Sequence, residues 1–234
     1  MSYSFGRYEP RVIQAVCRTL RPGDTAIDVG AHFGYHTLCM SRCVGWQGRV
    51  LAFEPNPYTF PALEKTIKLN RLSNVTPYPY ALSQTAGKRA FKSFTLPGDG
   101  VASFDDPELF GHQLERNSVP DLEEKKYEVD CVVLDEFLEP GVSAGIKLIK
   151  IDVEGAELLV LQGMKKIIEM HHPCLILELT GAEELAAAQT FLEDFGYRME
   201  MLETWNVKQR GGARAQAANV LFEPRQSRRS HPHG

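Results

Sequence analysis

Three stretches of this chain carry residues whose types and spacing can do chemistry. The first is Ile27-Asp28-Val29-Gly30-Ala31-His32-Phe33-Gly34. Glycines at Gly30 and Gly34 let a backbone pass close to a ligand and let a helix begin tightly against a sheet. The second is Glu54, within Ala52-Phe53-Glu54-Pro55-Asn56-Pro57. An acid ending a strand can accept hydrogen bonds from both hydroxyls of a ribose. The third is Lys147-Leu148-Ile149-Lys150-Ile151-Asp152-Val153-Glu154-Gly155, joined by Glu178 at the end of Leu175-Ile176-Leu177-Glu178. Acids at neighbouring strand ends can hold a hydroxylic substrate, act as general base, or coordinate a hard cation such as magnesium. Taken singly, each has a plainer role: Glu154 as a helix cap, Glu178 as a solvated strand end.

The glycine spacing separates one nucleotide ligand from another. A dinucleotide site wants G-x-G-x-x-G, so that the backbone can approach a pyrophosphate. Here only Gly30 and Gly34 are present, and Asp28 stands just before them. A carboxylate beside the turn repels a pyrophosphate. It suits the sulfonium and amino groups of S-adenosylmethionine, directly or through water. A donor of that kind needs an acceptor oxygen that is aligned and relieved of its proton. Asp152, Glu154 and Glu178 are the candidate groups. Lys150 is a further candidate, two residues before Asp152 and so on the same face of the strand.

Elements that could position these groups are legible from periodicity. Ile13, Val16, Cys17 and Leu20 mark one face of a helix after Pro10, and Arg21-Pro22-Gly23-Asp24 ends it. A strand at 25–29 precedes the glycine turn, and a helix from about Tyr35 to Cys43 follows. The unit repeats with a strand at 49–53, a helix face at Phe60, Leu63 and Ile67, and a further strand from Val75, interrupted by Pro77 and Pro79. Alternation resumes with a strand at 146–153 and a helix face at Val160, Leu161, Met164, Ile167 and Ile168. A strand at 173–179 follows, then a helix face at Leu185, Ala188, Leu192 and Phe195. Such alternation implies a parallel sheet with helices on both faces. Arg198–Leu202 and Asn219–Phe222, joined through Gly211-Gly212, read as a terminal antiparallel hairpin. Residues 83–130 differ, with Gly98-Asp99-Gly100, Asp105-Asp106-Pro107 and acids at Asp121, Glu123 and Glu124. They read as a loop-rich insertion with short strands at about 88–95 and 127–134, a place where an acceptor is chosen.

The 234 residues fit one domain, 1–224, ending in a flexible basic tail, 225–234, with Arg225, Arg228 and Arg229. A formal net charge of −4 gives no general pull toward nucleic acid or anionic membranes. No apolar signal core or membrane-length stretch is present. The five cysteines form no C-x-x-C pair, and Cys39 and Cys43, one helical turn apart, find no His or Asp to complete a metal tetrad. They read as reduced core thiols, which makes a cytoplasmic location the expectation.

Asp28-Val29-Gly30-Ala31-His32-Phe33-Gly34, Ala52-Phe53-Glu54-Pro55-Asn56-Pro57 and Lys150-Ile151-Asp152-Val153-Glu154-Gly155-Ala156-Glu157 together resemble the FkbM-type methyltransferases. Leu134-Asp135 and Asn219-Val220-Leu221-Phe222 fit as well. The likeness runs from about Tyr8 to Pro224, and the K-I-D-V-E-G-A-E block is its most specific part. It implies an α/β, Rossmann-like seven-stranded sheet with the last strand antiparallel and helices on both faces. It also implies S-adenosylmethionine as donor and O-methylation of a sugar, glycolipid or polyketide-type acceptor. By position, Asp28, Gly30, Ala31, His32, Phe33 and Gly34 flank the methionine part, with Asp152 nearby. Glu54, Pro55 and Asn56 lie by the ribose, and Ala81 and Leu82, ending the third strand, lie near the adenine. Two residues depart from the family pattern: His32 stands where Asn is common, and His36 where an aromatic is common.

Two other classes compete. A nicotinamide-dependent oxidoreductase on a related fold lacks support from a third glycine or a Tyr-x-x-x-Lys pair. A non-catalytic partner-binding relative would not need Asp28, Glu54, Asp152 and Glu178 together. Nucleic-acid methylation is disfavoured, because Asp152-Val153-Glu154-Gly155 stands where base-amino methyltransferases carry an Asn-Pro-Pro-Tyr type motif. The expectation is therefore an O-methyltransferase with a small-molecule or sugar acceptor. A metal between Asp152 and Glu178 (Mg2+) is an option, and the oligomeric state is open.

Overall fold

The central strands of the main sheet are short and mostly apolar, because they are buried on both faces. The computed structural model describes residues 8–96, 99–104, 123–138, 145–208 and 214–225. Gly98, the acids of 105–121, the Gly211-Gly212 loop and the tail beyond Arg225 lie outside the described residues. In chain order the elements open with α1 (Pro10–Thr19), β1 (Thr25–Val29), α2 (Tyr35–Val44), β2 (Arg49–Phe53), α3 (Phe60–Leu69) and β3 (Val75–Tyr78). Next come β4 (Ala81–Leu82), β5 (Gly87–Leu96), β6 (Asp99–Phe104), β7 (Glu123–Val132) and α4 (Leu134–Phe137). The chain closes with β8 (Ile146–Ile151), α5 (Glu157–Gln162), α6 (Lys165–His171), β9 (Cys174–Thr180), α7 (Ala182–Glu193), β10 (Tyr197–Lys208) and β11 (Arg214–Pro224).

The main sheet has seven strands in the order β3-β2-β1-β8-β9-β11-β10. β1, β2, β3, β8 and β9 are mutually parallel, and β11 runs antiparallel to both β9 and β10. This is a Rossmann-like methyltransferase sheet with the expected terminal hairpin. Side-chain alternation sorts the core into two layers. Ile27, Val29, Ile149, Ile151, Leu175 and Leu177 face α5, α6 and α7. Ala26, Leu148, Ile176 and Leu221 face α1 and α2. Asp28, Lys150, Glu178 and Asn219 therefore share the α1/α2 face, each two residues from an apolar member of that layer.

Two parts depart from the sequence reading. The helix read across Val160–Ile168 is two helices, α5 and α6. Gly163 separates them, and a Cβ there would sit 2.2 Å from the Ser83 carbonyl oxygen. The chain can pass Ser83 only as glycine. Asp135 then caps α6, accepting the N–H groups of Lys166 and Ile167 at 2.9 and 3.0 Å.

The second departure is the insertion. Where short strands in a loop-rich segment are expected, β5, β6 and β7 form a sheet with β4, in the order β4-β7-β5-β6. Ala81 and Leu82 do not end the third strand, which stops at Tyr78. They are β4, paired in parallel with Cys131 and Val132 of β7. Charged residues such as Lys88 and Asp130, opposite each other in register, hide the alternation of this sheet in the sequence. Its inner side, Ala81, Phe91, Val129 and Cys131, packs against Ala156, Val153 and Leu159. The small sheet thus leans on the turn that follows β8.

Candidate functional site

The glycine turn is welded to the end of β8. Gly30 has φ +79°, and a Cβ on it would lie 1.8 Å from the Asp152 carbonyl oxygen. The Asp152 N–H in turn donates to the Val29 carbonyl at 3.0 Å. Gly30 and Ala31 both donate backbone N–H groups to the Phe53 carbonyl. His32 occupies the left-handed region, φ 51°, and Gly34 begins α2. Asn is favoured at such a φ, and His is tolerated there too, which accounts for the departure from the family residue. The Phe33 ring lies tilted against His32, centroids 3.8 Å apart.

Glu54 clasps this turn to the loop after β2. Its Oε2 accepts the His32 N–H at 2.7 Å, and its Oε1 accepts the Asn56 N–H and the Thr59 hydroxyl, each at 2.9 Å. Burial raises the Glu54 carboxyl above its ordinary range, against the pull of the three donors. Three of its roughly four acceptor sites are used, leaving room for one further hydrogen bond. Pro55 follows it, and Asn56 is buried, with Oδ1 taking the Tyr58 N–H at 2.9 Å. The Asn56 Nδ2 has no partner among the described residues. Asp28 is also buried, its Oδ2 receiving the Thr37 hydroxyl of α2 at 2.5 Å. A spare acceptor on Glu54 and an orphaned amide on Asn56 fit the hydroxyls of a ribose, so the donor set accommodates a nucleoside.

At the next strand ends Lys150 is 1% exposed, and its Nζ meets Asp152 Oδ2 at 2.7 Å. Burial alone would lower the Lys150 ammonium's pKa. The charges of Asp152, Glu9 and Asp28 outweigh that and raise it, so the lysine stays cationic. Glu178, one strand over, is pushed up to about 10, first by burial and then by the Asp152 and Glu154 carboxylates, with Lys150 opposing. At neutral pH Glu178 keeps its proton. Glu154 is exposed, at φ 56° in the turn. The Lys150 ammonium supplies positive charge to Asp152 at contact and opposes the upward shift of Glu178. Among the described residues those two acids do not gather with a third into a metal-sized cluster.

Four further residues belong here that composition and motif did not single out as site groups. Glu9, just ahead of α1, points its Oε2 at His36 Nε2 of α2, 3.0 Å away. Burial opposes ionisation of Glu9, yet His36 and Lys150 hold its carboxyl down at about 2. Tyr8 packs edge-on against Tyr35, centroids 5.3 Å apart. Its phenol is raised by burial and by Glu9, Asp152 and Glu178, which places it within reach of their charges. Asn219 sits opposite Glu178 in register, fully buried, and neither of its amide atoms meets a partner among the described residues. An Asn inside an otherwise apolar strand was the available signal for it. Glu157, also buried, accepts the N–H groups of Val153 and Gly155 at 3.1 Å, and so shapes the turn carrying Asp152 and Glu154.

A sheet of this order, with a glycine turn after β1 and acids ending β1, β2, β8 and β9, defines a Rossmann-like methyltransferase. A family model for the methyltransferase FkbM domain matches residues 28–199. The chain belongs to this family of S-adenosylmethionine-dependent methyltransferases. It is 30% identical over 186 residues to Methyltransferase 1 of Beauveria bassiana, covering 75% of this chain and 73% of that protein. It is 28% identical over 163 residues to the hexuronic acid methyltransferase AglP of Haloferax volcanii, covering 70% of this chain and 59% of that one. Among solved structures it resembles the methyltransferase FkbM of Methylobacillus flagellatus, with a TM-score of 0.56 at 15% identity. That likeness covers 90% of this chain and 50% of the other, and it concerns the fold. Among the described residues no helix is long and apolar enough to cross a membrane.

Proposed function

We propose that the chain methylates a hydroxyl oxygen of a sugar, glycolipid or polyketide-type small molecule. The observation that carries this reading is the Lys150–Asp152 pair, 2.7 Å apart, beside Glu178 and directly across from the glycine turn. S-adenosylmethionine, when bound, supplies a methyl carbon already activated by its positive sulfur. Asp28, Gly30, Ala31, His32, Phe33 and Gly34 line its methionine side. Glu54, Pro55 and Asn56 take the ribose side, and Ala81 and Leu82 the adenine side.

An alcohol is a poor nucleophile at neutral pH, so the protein's task is to align it and accept its proton. Asp152 would accept the hydroxyl hydrogen and take the proton as the methyl passes from sulfur to oxygen, the carbon–sulfur bond breaking as the carbon–oxygen bond forms. Lys150 holds that carboxylate in place. Glu178, carrying its own proton, donates a hydrogen bond to the acceptor. Asn219 offers its unused amide beside Glu178. The small sheet β4-β7-β5-β6, resting on Val153 and Ala156, borders the acceptor's side of the turn. A sugar is favoured among acceptors because one relative is a hexuronic acid methyltransferase.

The test is to supply S-adenosylmethionine with a panel of glycosides, hexuronic acids included, and to follow release of the demethylated donor. Product mass and carbon–proton NMR should place the new methyl on oxygen. Methylation at nitrogen or carbon would overturn the assignment. Binding of NAD by calorimetry, with no response to either form of the methionine cofactor, would overturn the class.

A further inference from the structure

Away from the site, three thiols gather where α1 packs on α2. Cys17 Sγ lies 3.3 Å from Cys43 Sγ and 4.0 Å from Cys39 Sγ. All three sulfurs fall within 4.8 Å of one another, and none is in a disulfide. Cys39 and Cys43 share a face of α2 through their i, i+4 spacing. Cys17 arrives from the last turn of α1. It is exposed, Cys43 is half-buried and Cys39 is buried, so the cluster opens to solvent on one side. Among the described residues no other group of ligand side chains is gathered this closely.

We propose that Cys17, Cys39 and Cys43 form a three-thiolate site for a soft cation such as Zn2+, with water or an outside ligand in the fourth position. Thiolates select soft metals over magnesium or calcium. A tetrahedral zinc with Zn–S bonds of ~2.3 Å sets its sulfurs about 3.8 Å apart. The observed 3.3 and 4.0 Å bracket that spacing, so only small side-chain rotations are needed. On binding, each thiol releases its proton to solvent as the metal–sulfur bond forms. The metal would tie α1 to α2. Their opposite ends both reach the methylation site, where Glu9 before α1 meets His36 of α2 at 3.0 Å. Its structural effect is to fix Tyr8 and Glu9 over Lys150.

The probe is Co2+, titrated into the reduced full chain after removal of reductant. A sulfur-to-cobalt charge-transfer band should grow, saturate at one ion per chain and disappear on adding Zn2+. His231 and His233 of the tail can bind cobalt but give no such band. Cys17→Ser replaces an exposed group and leaves the apolar core intact. It should weaken Co2+ binding roughly tenfold or more, with an unchanged circular dichroism spectrum. Cys43→Ser should do the same. Absence of the band, or its persistence unchanged in Cys17→Ser, overturns the proposal. So does a reduced chain that yields no band but joins Cys17 to Cys43 under a mild disulfide-forming oxidant, which would make the cluster a redox pair.

Discussion

Glu178 and Asp152 lie on neighbouring strand ends in unlike surroundings. Asp152 has the Lys150 ammonium at 2.7 Å, whereas Glu178 faces burial and two carboxylates. A group whose role needs its proton works below its pKa, so turnover should fall as pH rises through about 10. Glu178→Gln keeps a neutral donor and should retain most of the rate while losing that alkaline fall. Glu178→Ala should lose the rate, and equal rates for Ala and Gln would remove Glu178 from the mechanism. Asp152→Asn should abolish turnover in either background. At the cofactor turn, Glu54→Ala deletes an acceptor bound by three protein donors. It should weaken S-adenosylmethionine by ~1–3 kcal/mol in calorimetry, the scale of lost hydrogen bonds to a charged group. His32→Asn suits the left-handed φ and should leave the melting temperature level or higher. His32→Val should cost about 1–2 kcal/mol there.

At the scale of elements, the turn after β8 depends on one buried acid of α5. Glu157 is pushed up to about 8, first by burial and then by Glu184, against the pull of the N–H groups it accepts. In the unfolded chain its carboxyl returns to the ordinary value near 4.5. Between these values the folded state holds a proton that the unfolded state has released. Stability is therefore fully present below about pH 4.5 and is lost as pH rises toward 8, by up to about 1.4 kcal/mol per pH unit from this group. Chemical unfolding of Glu157→Gln at pH 5 and pH 8 should show that slope flattened, since Gln retains one acceptor oxygen for Val153 and Gly155. An unchanged slope would assign the pH dependence elsewhere. The same turn explains Gly30. A methyl there would strike the Asp152 carbonyl, so Gly30→Ala should displace β8's end and with it the Lys150–Asp152 pair.

For the molecule as a whole, the two sheets divide the labour. The seven-stranded sheet carries the glycine turn and, at or just past its strand ends, Asp28, Glu54, Asp152 and Glu178, while the four-stranded sheet rests on Val153 and Ala156. Lys125 over the Tyr58 ring, 4.8 Å from its centroid, ties the small sheet also to the loop after Glu54. Exchanging residues 83–130 for the matching segment of a relative should change which acceptor is methylated. Donor affinity should stay within a few fold. Unchanged acceptor preference with lost donor binding would show that the segment supports the cofactor instead.

By itself the sequence determined the parallel core, the terminal hairpin and the positions of Asp28, Gly30, Glu54, Lys150, Asp152 and Glu178. Each is local information: period-two apolar runs, a glycine turn, and acids placed where such runs end. The small sheet was illegible because charges on its outer face, Lys88, Lys126 and Glu128 among them, obscure its inward apolar residues. Only pairing across ten-residue strands reveals the face that Phe91 and Val129 share. Tyr8, Glu9 and Asn219 were likewise out of reach, since they approach Lys150 and Glu178 from distant points of the chain. The protonation of Glu178 was a tertiary outcome too. A carboxyl's pKa depends on how deeply it is buried and which charges surround it, and neither quantity is defined until the chain has folded.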